Sequence, residues 1–180
     1  MHHMAQNKFI KTFVIHITKK SLRSVFRFFG YLLLIGVGLS ACDSDKIYEN
    51  NVAIPTDGWR RVERARFEVE IADTIHPCNI YINVRNNIHY KYADFWLFVD
   101  VHAPTGAVSS DTVRIILADH RGKWLGHGLG SKFDSRMVFR KNILFPVSGT
   151  YIFEYEQASR DEPLSGIEDI GLRIEKYTIK

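Results

Sequence analysis

From Trp59 onward, apolar and polar residues alternate with a period of two. Phe67, Val69 and Ile71 are interleaved with Arg66, Glu68 and Glu70, the pattern of a strand wetted on one face. Ile80, Ile82 and Val84 alternate in the same way with Asn79, Asn83 and Arg85. Residues 95–101 begin apolar on both faces, which predicts a central strand. Val113, Ile115 and Leu117 follow the turn signal Pro104-Thr105-Gly106 and predict another. Residues 137–145 predict a fifth strand. Tyr151, Phe153 and Tyr155 predict a sixth after Ser148-Gly149, and Ile170, Leu172 and Ile174 a seventh. No stretch of twelve or more residues carries a helical stripe. A turn or two of helix is expected near 157–162, stopped by Pro163. The expected fold is all-β: a single antiparallel β-sandwich, jelly-roll or immunoglobulin-like, of about seven to eight strands. A closed barrel is the alternative.

Ahead of this region the pattern changes. Residues 28–39 form an uncharged, mostly apolar run, which as a helix would reach about 18 Å against a hydrocarbon core of about 30 Å. It follows a basic stretch and precedes Leu39-Ser40-Ala41-Cys42. These are the marks of a secretory signal rather than a membrane span, and the last four residues resemble a bacterial lipobox. Residues 1–41 are therefore expected to be a lipoprotein signal peptide, with Cys42 acylated at the new N-terminus. Polar residues 42–58 read as a lipidated start and tether, and 59–180 as the β-sandwich domain.

Charge then changes meaning. The whole chain carries 24 Lys and Arg against 20 Asp and Glu, a net charge of +4. Six of the cations (Lys8, Lys11, Lys19, Lys20, Arg23 and Arg27) lie within 1–41, which holds no acidic residue, so 42–180 is left with a net charge of −2. That argues against a basic nucleic-acid-binding domain. Attachment to the membrane is expected to come from acyl chains, each buried methylene contributing about 0.8 kcal/mol.

Signals for chemistry are sparse. The histidines after Cys42 are His76, His89, His102, His120 and His127, and none of their spacings is that of a zinc site. Pro146-Val147-Ser148-Gly149-Thr150 lacks the first glycine of a nucleophile elbow. Gly126, Gly128 and Gly130 imitate a phosphate loop but precede a strand-like segment instead of a helix; positive φ in a sharp loop explains them better. Cys78 opens an apolar alternating stretch and reads as a small buried hydrophobe. No enzyme, metal or cofactor is expected. The aromatic residues Trp124, Tyr92 and Trp96 are the candidates for interaction. Trp124, among glycines and basic residues, either projects as a platform or folds back to cap the sandwich.

Several stretches carry a resemblance: Tyr92-Ala-Asp-Phe-Trp-Leu-Phe98, Ala118-Asp119 through Gly122-Lys-Trp-Leu-Gly126 to Gly128, Gln157-Ala-Ser-Arg160, and Leu164-Ser-Gly-Ile-Glu-Asp-Ile-Gly-Leu-Arg-Ile-Glu-Lys176. With the lipobox cysteine ahead of them, the chain resembles the GldH family of gliding-motility lipoproteins of Bacteroidota. Ser159 stands where methionine is expected in typical members. The resemblance implies a cell-envelope lipoprotein, on the outer membrane, that supports gliding and type IX secretion through contacts with other envelope proteins. It carries over one residue role, the lipidation of Cys42. A peptidoglycan- or glycan-binding module using Trp124 and nearby tyrosines is the alternative. In cells fed a labelled fatty acid, the wild-type chain is expected to take up the label and Cys42→Ala to lose it; equal labelling of both would contradict the anchor.

Overall fold

Alternation with a period of two lets each strand bury one face, and the chain uses it eight times. The computed structural model describes residues 44–128 and 130–178; the signal segment and Cys42 lie outside them. The strands are β1 (Lys46–Ala53), β2 (Ala65–Ile71), β3 (Cys78–Asn87), β4 (Asp94–His102), β5 (Val108–Ile116), β6 (Lys132–Ile143), β7 (Gly149–Gln157) and β8 (Ile167–Lys176). They form two four-stranded antiparallel sheets, ordered β1-β8-β3-β6 and β2-β7-β4-β5. Consecutive strands mostly change sheet, and this crossing order is that of a jelly roll. The two sheets do not join into a barrel, so the sandwich expectation holds. No helix of the described residues is long and apolar enough to cross a membrane.

The inward positions fill the space between the sheets. Phe67, Phe95, Leu97, Phe153 and Tyr155 come from one sheet, and Ile80, Ile82, Ile170 and Leu172 from the other; all are buried. Trp59 closes one end, fully buried, its indole N–H donating to the Glu63 carbonyl at 2.7 Å.

Three sequence expectations need correction. Residues 46–53, read as tether, form strand β1, which pairs with β8 from Lys46↔Glu175 to Ala53↔Asp169. Its apolar signal is weak because only Tyr48 and Val52 pack on the core; an edge strand held by backbone bonds needs no more. The helical turn expected at 157–162 is absent. Gln157 instead ends β7 buried, its amide donating to the Asp161 carbonyl at 3.1 Å and accepting from the Ser159 N–H at 2.8 Å. Those side-chain bonds satisfy a bent turn that a helix would otherwise have to make.

The glycines after β5 also act differently. Gly126 and Gly128 sit where the chain lies against β6 and His127 exchanges two backbone hydrogen bonds with Asp134, at 2.9 and 2.7 Å. A Cβ on Gly126 would stand 2.8 Å from the Asp134 carbonyl oxygen, and one on Gly128 would overlap the Lys132 carbonyl oxygen. Close approach, not positive φ, selects these two residues. Gly122 is the reverse, with φ +78° and open space around it. Gly128→Ala is accordingly expected to cost more than about 2 kcal/mol in chemical denaturation. Gly122→Ala should cost only about 1–2 kcal/mol, the ordinary left-handed penalty. Equal losses would contradict the close-approach reading.

Candidate functional site

At one end of the sandwich the chain assembles an aromatic cluster. Tyr90 lies in the loop after β3, buried, with its hydroxyl donating to the Asp94 carbonyl at 2.9 Å. Its ring meets Tyr92 edge-on at 5.8 Å, Phe95 edge-on at 6.3 Å and Trp124 at 6.5 Å, distances at which aromatic pairs attract. Gly166 makes room for it, because a Cβ there would come within 2.5 Å of the Tyr90 Cα. Trp124 also packs on Phe133 at 5.7 Å and rests half-buried against the core. Its loop is turned back by Asp119, whose carboxylate accepts from the N–H groups of Arg121 and Lys123 at 2.8 and 2.9 Å. Of the two readings of Trp124, the cap is the one adopted.

Tyr92 and Trp96 occupy the wet side of the same cluster, at 40% and 41% exposure. Trp96 points outward from β4 because Phe95 and Leu97 on either side of it point in. Toward β5 its cross-strand neighbour is Arg114, whose guanidinium lies 5.7 Å from the indole and bonds the Asp94 carboxylate at 2.7 Å. Toward β7 its neighbour is Ala158, which donates its N–H to the Trp96 carbonyl at 2.9 Å. An alanine beside an indole leaves a gap. The result is a depression of about 360 Å³ lined by Tyr90, Tyr92, Asp94, Trp96, Ser159 and Arg160. A hydrogen bond to Asp161 and burial of its ring hold the Tyr92 hydroxyl above its usual pKa range.

A larger depression, about 500 Å³, lies on the outer face of the other sheet. Its charges are matched to each other: Arg85 with Asp134 at 2.7 Å and Asp169 at 3.2 Å, Arg136 with Glu49 at 3.2 Å. Exposed pairs of this kind contribute little and leave little charge for a ligand. No group of three or more metal-ligating side chains occurs among the described residues.

Cys78 is buried at the start of β3, its Sγ 3.6 Å from the Ile143 carbonyl oxygen, and burial pushes its thiol up to about 11.

The comparisons bear on the whole described sandwich. The GldH lipoprotein family matches residues 46–174. A gliding motility lipoprotein GldH homolog of Christiangramia forsetii is 32% identical over 162 residues, covering 86% of this chain and 98% of that one. The chain belongs to the GldH lipoprotein family. The gliding motility lipoprotein GldH of Flavobacterium johnsoniae is 27% identical, covering 82% and 95%. Among solved structures, an arabinose-bound α-L-arabinofuranosidase aligns over 72% of the chain and 19% of its own at 11% identity and a TM-score of 0.36. Latent PorU from Porphyromonas gingivalis aligns over 73% and 13% at 6% identity and a TM-score of 0.31.

The segments that resemble the GldH family are distant in sequence but share this end of the fold. Tyr92–Phe98, the Trp124 loop, Gln157–Arg160 and Gly166 all touch the Tyr90 cluster or the depression beside it. Tyr92 and Trp96 come together as candidates, while Trp124 supports them from behind. Sequence reasoning missed Arg160, which reaches the depression only through the Gln157 turn. It also missed Phe98 and Ile116, 46% and 56% exposed. The both-faces apolar start of β4 was the available sign for Phe98.

A folded-state thiol raised from 9.0 to about 11 favours the fold fully below the lower value, and that contribution fades as pH rises toward the upper one. Between pH 8 and pH 10.5, wild-type urea stability is therefore expected to fall more steeply than that of Cys78→Ala. Parallel profiles would contradict the burial of the thiol.

Proposed function

We propose that this GldH-family protein is a non-enzymatic lipoprotein, held by acylated Cys42 on the outer membrane, that supports gliding motility and the type IX secretion machinery through contacts with other envelope proteins. Family membership and the names of the two relatives support the gliding role. The observation that carries the protein-contact reading is the outer face of the β2-β7-β4-β5 sheet. There Trp96 and Phe98 follow one another on the outer side of β4, and Ile116 on β5, paired with Asp94, lies diagonal to Trp96, all between 41% and 56% exposed. Farther across that face Glu154 and Glu156 on β7 meet Arg66 on β2 and Arg64 just before it, at 2.8 and 2.6 Å. An apolar patch rimmed by charge is the usual form of a protein-contact surface.

A photo-crosslinking residue in place of Phe98, in growing cells, should trap defined envelope proteins of the gliding or secretion apparatus. The same residue in place of Glu68, on the charged half of that face, should trap none of them. Phe98→Asp should leave the thermal midpoint within a few degrees and reduce spreading of colonies. Identical adducts at both positions, or normal spreading of Phe98→Asp, would overturn the reading.

A further inference from the structure

Arginines in this domain are almost all paired. Among the described residues, every arginine except Arg121 and Arg160 meets a carboxylate within salt-bridge distance. Arg121 lies in the exposed Trp124 loop. Arg160 instead lines the depression between Trp96, Tyr92 and Ala158. An unpaired guanidinium is thus placed beside two exposed aromatic rings.

The walls of this slot are fixed. Trp96 is held on its β5 side by Arg114, which is itself bonded to Asp94. Tyr92 is held by its edge contact with the buried Tyr90. The turn that carries Ser159 and Arg160 is pinned by buried Gln157, whose amide bonds Asp161, Glu162 and the Ser159 N–H. Little ordering remains to be done when a ligand arrives, which favours binding by a small molecule.

The chemistry of the slot is divided. Its apolar part consists of flat rings above a small residue, suited to the C–H face of a sugar ring. Its polar part offers the Arg160 guanidinium, the Ser159 hydroxyl and the Asp94 carboxylate at the rim. A guanidinium binds a carboxylate in a forked, bidentate way. At about 360 Å³ the slot is at the small end of ligand sites, which run from roughly 300 to 1,000 Å³. Arg114 separates it from the open edge of β5, so a peptide added to that edge would not enter it.

We propose that the slot formed by Trp96, Tyr92, Ala158 and Arg160 binds one acidic sugar residue, its ring against Trp96 and its carboxylate on Arg160. The slot shares Trp96 with the protein-contact patch but does not depend on that reading, which is tested at Phe98. Binding by the full-length protein in detergent micelles can be followed by saturation-transfer NMR, with a trigalacturonate as probe. A neutral galactose trisaccharide and an acidic hexapeptide serve as comparisons. The acidic sugar should bind at least about tenfold more tightly than the neutral one. Ala158→Leu, which fills the gap and leaves Trp96 in place, and Trp96→Ala should each abolish the signal while the thermal midpoint stays near wild type. Arg160→Gln should bring acidic and neutral sugars to equal, weak affinity. Absence of binding by wild type, equal affinity for both sugars, tighter binding of the peptide, or an unchanged signal in Ala158→Leu would each overturn the proposal.

Discussion

The removal of two apolar faces from water is the constraint on which everything else here rests. Each sheet presents branched and aromatic residues on alternate positions, and only face-to-face stacking dries both. Once the sheets are stacked, the polar alternates are forced outward, and the loops must cross the ends. The aromatic end follows from this. Trp59, Tyr90 and Phe95 seal one end of the core, and the visible residues Tyr92 and Trp96 are simply the next layer outward. The candidate surface is therefore continuous with the core through Tyr90 and Phe95.

How much of this was legible depended on whether a residue's role is local. Most of the seven strands from β2 to β8 announced themselves by alternation, because burial of one face imposes it directly; β4 did so by a run apolar on both faces. Strand β1 did not, since its place is set by the backbone ladder with β8 and only Tyr48 and Val52 meet the core. The same divide runs through the site. Tyr92 and Trp96 could be singled out as aromatic residues near few charges. Arg160 could not, because its proposed role lies in what it lacks, a carboxylate partner, and that is a property of the folded surface. Gly126 and Gly128 were recognisable as glycines with a purpose, yet the neighbour that requires them, β6, is found only in three dimensions.

Electrostatics give the surface its contrast. Both outer sheet faces carry arginines answered by nearby carboxylates, so the mild negative charge of the domain is spread as short, closed pairs. Even the well-buried Arg173 is closed in this way, with Glu49 at 2.6 Å. Against such a background a small departure becomes informative. Besides Arg121 in its exposed loop, the apolar patch around Phe98 and the unpaired Arg160 are where the pairing lapses among the described residues, and they lie on neighbouring parts of one face.

Strand β1 has a mechanical consequence. It starts at Lys46, four residues after Cys42, and is sewn into the sheet from that first residue. Fully stretched, the intervening chain spans at most about 14 Å. If Cys42 is acylated as proposed, that short stretch is all the chain between the lipid and the sheet. On that proposal the sandwich would stay close to the lipid surface, and partners would have to approach it there.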